Sequence, residues 1–209
     1  MMEVTIHDVR REIILEKAIC KREAILDIPK WMLPMPVFAY DPGAFFSFAT
    51  AAKTQGQYGH FMWLIERNGQ YIFASQSWWF QSVPVIPANG SPGHYDKYLL
   101  KFCYNPVWTP AQRAILTNAI QTDLDKPFYR TLYDIPQIFG HLIGLKWIEL
   151  PGFEVCSDRS DYFILVDGRY NLKRPTPTDV NQWMKAFLWV PEYPEIPGYT
   201  VYGRYNAGD

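Results

Sequence analysis

Residues 60–76 read HFMWLIERNGQYIFASQ, and the interpretation of this stretch decides the fold. Two runs of aromatic, β-branched and other apolar residues flank Asn68-Gly69, a dipeptide whose members both tolerate positive φ. The pattern predicts an antiparallel hairpin with a tight turn. The loop-like TQGQYG of residues 54–59 precedes it, so His60 is expected to open the first strand. Ser75 and Gln76 then fall on the returning strand, and slipping the pairing by one residue would exchange which of them shares a face with His60.

Working outward, DKYLLKFCYNP at 96–106 predicts a further strand, and KWMLPMPVFAY at 30–40, punctuated by prolines, predicts an edge strand reached from an N-terminal extension over 1–36. Strand alternation through Trp78-Trp79 predicts one indole in the core and one outside. Asp41-Pro-Gly ahead of AFFSFATAAK predicts a helix ending near Lys53. Thr109-Pro110 ahead of AQRAILTNAI predicts another, with threonine as cap and proline in the first turn. Residues 130–146 are a weaker helical candidate interrupted by Pro136 and Gly140, and PTPTDVNQWM at 175–184 repeats the threonine-proline opening. Residues 191–209, rich in tyrosine and proline, read as an extended tail. Helices and hairpins come in separate groups and not in βαβ alternation, so the fold class is α+β in a single domain spanning 1–209.

Composition narrows the function. A chain of 209 residues, 48% hydrophobic, can bury its own core. Twenty basic residues against 21 acidic ones leave a formal charge of -1, which lacks the positive footprint that nucleic acid requires. No apolar window reaches the ~18 residues of a membrane span, and no signal peptide is legible, so synthesis in the cytoplasm is expected, with later release or carriage in a particle left open. Cys20, Cys103 and Cys156 are widely spaced with no metal-ligand pattern, so no metal or organic cofactor is implied.

The chemistry concentrates in GFEVCSDRSDYF, residues 152–163. Cys156 follows an apolar run and precedes Ser157 and Asp158, both residue types that cap helices. A thiol attacks as thiolate, and its pKa falls at the positive end of a helix or beside an imidazolium. Among His7, His60, His94 and His141, His60 is best placed, because a strand start holds an imidazole more rigidly than a loop. Cys103, inside FCY, reads as a small core residue.

The order YGH at a strand start, a hairpin ending in FAS, a TPAQRAIL helix, KPFY and then FEVCSD resembles the circularly permuted papain-like hydrolases, the permuted NlpC/P60 group that includes lecithin retinol acyltransferase-like proteins and bacterial peptidoglycan amidases. The likeness covers roughly residues 37–190. It implies a small antiparallel sheet packed on a helix headed by the cysteine, with Cys156 as nucleophile and His60 as general base. It implies a thiol hydrolase acting on a peptide, cell-wall or acyl-amide substrate, a peptide bond of bacterial peptidoglycan first among them. The family's third polar residue, often Glu or His on the returning strand, is absent here, and Ser75 or Gln76 stands in that region to orient His60 by a neutral hydrogen bond. An alternative of another class is a weak or inert papain-like domain serving as a structural module or binding a protein partner through its aromatic surface.

Overall fold

The computed structural model describes residues 25–26, 28–40, 59–89, 95, 98–103, 105, 108–132, 134, 155–173 and 175–186. The helix expected over 41–53, most of the candidate over 130–146 and the tail over 191–209 lie outside these residues. Five strands form one antiparallel sheet: β1 (Met35–Tyr40), β2 (His60–Arg67), β3 (Gln70–Gln76), β4 (Phe80–Pro84) and β5 (Leu99–Phe102), in the order β4-β3-β2-β1-β5. With α-helices and a long 3-10 segment beside it among the described residues, the class is α+β, as the grouping of elements predicts.

The β2–β3 hairpin closes on the pair Arg67 and Gln70, and Asn68 and Gly69 have φ of 52° and 81°. Both turn residues are left-handed, which matches the twist of the flanking strands. The Glu66 carboxylate accepts from the Gly69 N–H at 2.7 Å and ties the turn down.

β1 lies inside the sheet, between β2 and β5, and not at its edge as its prolines suggest. Pro34 precedes the strand, and Pro36 sits where the β5 pairing ends, since β5 pairs only from Val37 onward. At Pro36 the β5 side uses the carbonyl alone, which accepts from the Cys103 N–H at 2.9 Å.

The apolar run after Gln70 is broken into two strands by a reversal at Ser77–Trp79, where Gln76 pairs with Phe80. Trp78 and Trp79 therefore fall in the turn and are 66% and 39% exposed, against the expectation of one inward indole, and Phe80 is the residue that enters the core.

Each face of the sheet is covered. Phe61, Trp63 and Ile65 of β2 face a core completed by Trp108, Leu116, Ile120, Phe163 and Trp183. Met62 and Leu64 face a second core with Met35, Val37, Phe73, Phe102 and the N-terminal Ile28 and Met32. Burial on both sides explains why HFMWLI reads as a continuous apolar run without polar alternation.

α1 (Pro110–Leu124) starts at Thr109, whose hydroxyl accepts from the Gln112 N–H while the Gln112 side chain accepts from the Thr109 N–H. α2 (Pro177–Ala186) repeats the device with Thr176 and Asp179. Such reciprocal caps satisfy two donors that a helix start leaves orphaned. The segment expected to be a helix headed by the cysteine, Cys156–Leu165, winds as a 3-10 helix over ten residues, long for this conformation. Three residues per turn set Arg159 and Tyr162 in one row and Ser160 and Phe163 in the next. The first row meets Asp123 of α1, while the second meets Tyr170 and the core.

Candidate active site

His60 is the first residue of β2, registered opposite Ala39 of β1, and the adjacent Gly59 N–H donates to the Ala39 carbonyl at 3.1 Å. Ser75 of β3 pairs with Met62, so it shares a face with His60 two residues earlier and is its diagonal neighbour across the hairpin. His60 Nε2 and Ser75 Oγ are 2.8 Å apart, and Ser75 is fully buried. The hairpin register thus assigns Ser75 to the imidazole.

Gln76, the other residue expected to orient His60, points to the opposite face. Its Oε1 accepts from Arg159 Nε at 3.1 Å and Nη2 at 3.0 Å, and its Nε2 donates to the Thr131 carbonyl at 2.6 Å. All its polar atoms serve packing, which removes it from the candidate site.

A residue that the sequence does not signal completes the group. Tyr95 OH lies 2.5 Å from Ser75 Oγ and 3.4 Å from His60 Nε2, and the two rings stack at 6.1 Å between centroids with 21° between planes. Edge-to-face contacts with Phe73 at 5.2 Å and Tyr98 at 5.0 Å fix the phenol ring. Burial pushes the Tyr95 pKa up to about 12; the Tyr98 and Cys156 charges act in the same direction, and hydrogen bonds with Ser75 and Ser77 oppose it. Tyr95 therefore keeps its proton at neutral pH. Its only sequence cue is proximity to His94 in a proline-glycine loop, which carries no pairing information.

Cys156 opens the 3-10 segment and is 4% exposed. The segment's Arg159 and Phe163 meet the face of Trp63 and Phe61, opposite the face that His60 shares with Ser75 and Tyr95. Charge on Cys156 acts on Tyr95 in the direction of its raised pKa, as the smallest of the causes. The expected capping role divides. Asp158 accepts from the Val155 N–H at 2.9 Å, whereas Ser157 is buried and donates to the Pro175 carbonyl instead of capping. That bond fastens the cysteine's turn to the start of α2.

Arg159 is the second residue the sequence reading passes over. Its guanidinium is buried, pairs with Asp123 at 2.9 Å and lies 4.2 Å from the Phe80 ring centroid, while its carbonyl accepts from Trp63 Nε1 at 2.9 Å. For Asp123, burial disfavours ionisation, but hydrogen bonds from Lys126 and Tyr162 and the Arg159 charge outweigh it and lower the pKa. One side chain thereby joins the 3-10 segment, α1 and β3.

Cys103 is buried in the helix-side core, in accord with its structural reading. Cys20, His7, His94 and His141 lie outside the described residues. Among the described residues, no three His, Cys, Asp or Glu side chains gather in a way that could hold a metal ion, and no helix is long and apolar enough to cross a membrane. Comparison of the chain with protein-family models, curated proteins and solved structures gives no match.

Proposed function

We propose that the protein is a thiol hydrolase of permuted papain-like architecture that opens an amide or ester through a thioester on Cys156, with His60 as the base. The observation that carries this reading is the 2.8 Å bond between His60 Nε2 and Ser75 Oγ. It occupies one imidazole nitrogen with a buried orienting group on the returning strand, the position at which the family resemblance expects a third polar residue.

In the proposed reaction, His60 Nδ1 takes the Cys156 proton, and the thiolate attacks the carbonyl carbon to give a tetrahedral oxyanion. Backbone N–H groups in the first turn of the 3-10 segment stabilise that charge. Collapse breaks the C–N or C–O bond while the imidazolium returns its proton to the leaving group, and water then hydrolyses the thioester by the same steps in reverse roles. A peptide bond of bacterial cell wall is the substrate that the resemblance suggests first.

A second reading, an inert papain-like module that binds a protein partner, is favoured by the 4% exposure of Cys156 and by the exposed rings of Trp78, Trp79, Phe128 and Tyr129. Alkylation separates the two. The pH dependence of iodoacetamide labelling at each cysteine, mapped by peptide mass in the parent and in His60→Ala, is expected to show Cys156 alone reacting well below the ~8.5 of a free thiol and losing this in the variant. Equal reactivity of all cysteines, or indifference to His60, overturns the hydrolase and leaves the binding module.

A further inference from the structure

We propose that the rings of Trp78, Trp79, Phe128 and Tyr129 form a ridge that seats the protein on an anionic lipid surface. The inference does not depend on the hydrolase reading, and it gives the exposed aromatic surface a definite occupant.

The ridge is built from two segments that the fold ties together. The reversal after β3 is closed by the Ser77 N–H, which donates to the Trp79 carbonyl at 3.1 Å. Residues 128–132, which follow α1, lie against it: the Phe80 N–H donates to the Thr131 carbonyl at 3.1 Å, Gln76 Nε2 donates to the same carbonyl at 2.6 Å, and Trp79 bridges to Leu132. Phe128–Arg130 is itself a 3-10 turn, closed by the Arg130 N–H on the Pro127 carbonyl at 2.9 Å and the Thr131 N–H on the Phe128 carbonyl at 3.1 Å. Backbone held in this way has little freedom left to lose on binding.

The rings nevertheless face outward. Phe128 is 61% exposed and Tyr129 60%, beside the exposed indoles, and every residue from Asp125 to Arg130 is exposed. Trp79 and Phe128 meet at 6.4 Å between centroids with 68° between planes, and Phe128 and Tyr129 at 5.9 Å with 79°. Exposure alone suits a sugar, a protein or a lipid, and the angles and charges choose among them. Rings so nearly perpendicular offer no common plane on which successive sugar rings could stack. Indole and phenol, each with an apolar body and a polar tip, are the side chains that gather where hydrocarbon meets water.

Charge points the same way. The carboxylates nearby are already matched, Asp125 by Arg67 and Asp123 by Lys126 and Arg159. Arg130, the last residue of the aromatic turn, is exposed and makes no ion pair among the described residues. A guanidinium beside the rings can meet lipid phosphate or carboxylate while the rings enter the headgroup layer. The register that pairs Met62 with Ser75, followed to the start of β2, sets Ser77 opposite His60, so the ridge lies at the His60 end of the sheet. Docking by the ridge therefore turns that end toward the lipid.

Flotation of the full-length chain with phosphatidylcholine vesicles, with and without phosphatidylserine, tests the inference. The parent should bind the vesicles that contain phosphatidylserine more tightly. The double substitution Trp78→Ala and Phe128→Ala should weaken that binding about tenfold or more through lost apolar area. Arg130→Gln should weaken it about fivefold on the anionic vesicles and leave phosphatidylcholine alone unchanged. Trp31→Ala serves as the control: Trp31 is 62% exposed, but its neighbour Lys30 pairs with Glu66 near the other end of β2, so binding should not change. Thermal unfolding checks that each variant is folded.

A parent that stays off both kinds of vesicle overturns the inference and leaves the rings to a protein partner. A ridge variant that binds as the parent does overturns it as well. Sedimentation velocity without lipid covers the remaining occupant: a parent that dimerises and a ridge variant that does not would assign the rings to a second copy of the chain, against the proposal. None of these readouts uses Cys156 or His60, so the hydrolase reading stands or falls separately.

Discussion

Ser75 and Gln76 are neighbours on one strand, yet they serve two networks of opposite character. On the helix-side face, Gln76 meets a guanidinium, a carboxylate and an aromatic ring that lock three elements together. On the other face, Ser75 meets an imidazole and a phenol, with no formal charge among the hydroxyl partners. The contrast separates holding from poising. A buried ion pair is costly to break and suits a joint, whereas neutral hydroxyls leave a titratable ring free to gain and lose a proton.

The largest expected effect tests the charged face. Arg159→Ala leaves Asp123 without its buried partner and Gln76 Oε1 without its donors, and it should cost about 3 kcal/mol in urea unfolding. A loss below about 1 kcal/mol would mean that the joint lies elsewhere and that the contrast between the faces is overstated.

The same face should also be sensitive to acid. Asp123 has its pKa lowered in the folded protein, so the unfolded chain binds the proton more readily. Its contribution is present above the ordinary carboxylate value of ~3.9 and is lost as pH falls through the depressed folded value. The stability gap between parent and Asp123→Asn, followed by urea titration, should therefore be full at pH 7 and close on the acid side of about pH 4. A gap that ignores pH would show that charge is not what Asp123 contributes. Asp167, whose pKa is also lowered, adds to the parent's overall acid sensitivity but not to this difference.

The smallest effect belongs to neither network and calibrates both. Thr109→Ala removes the exposed half of the α1 capping box and should cost about 1 kcal/mol. It should leave Cys156 alkylation untouched, and a change there would mean that α1 stability reaches the candidate site.

Much of this architecture is legible in the chain. Asn68-Gly69 specifies its hairpin because the turn needs two residues at positive φ, and once the turn is set the register follows. Thr109-Pro110 and Thr176-Pro177 mark their helices for an equally local reason, since each cap is closed by a side chain three residues away. His60 at a strand start and Cys156 at the head of a helical segment follow from the same kind of signal.

Features that depend on distant neighbours were misread or not visible. The prolines of β1 suggest an edge, yet β5 arrives from far along the chain and begins pairing just beyond them, Phe102 opposite Val37. The run through Trp78 and Trp79 looks like a continuous strand, and only the Gln76–Phe80 pairing reveals the reversal. The choice between Ser75 and Gln76 required a register. Tyr95 and Arg159 required contacts spanning 20 and 83 positions. Sequence by itself determined where the chain turns and where its helices begin, because those free energies are settled within a few residues. Which side chains meet the imidazole and which meet the guanidinium was decided by the tertiary structure alone, because the two faces of a strand become distinct only when different distant segments come to cover them.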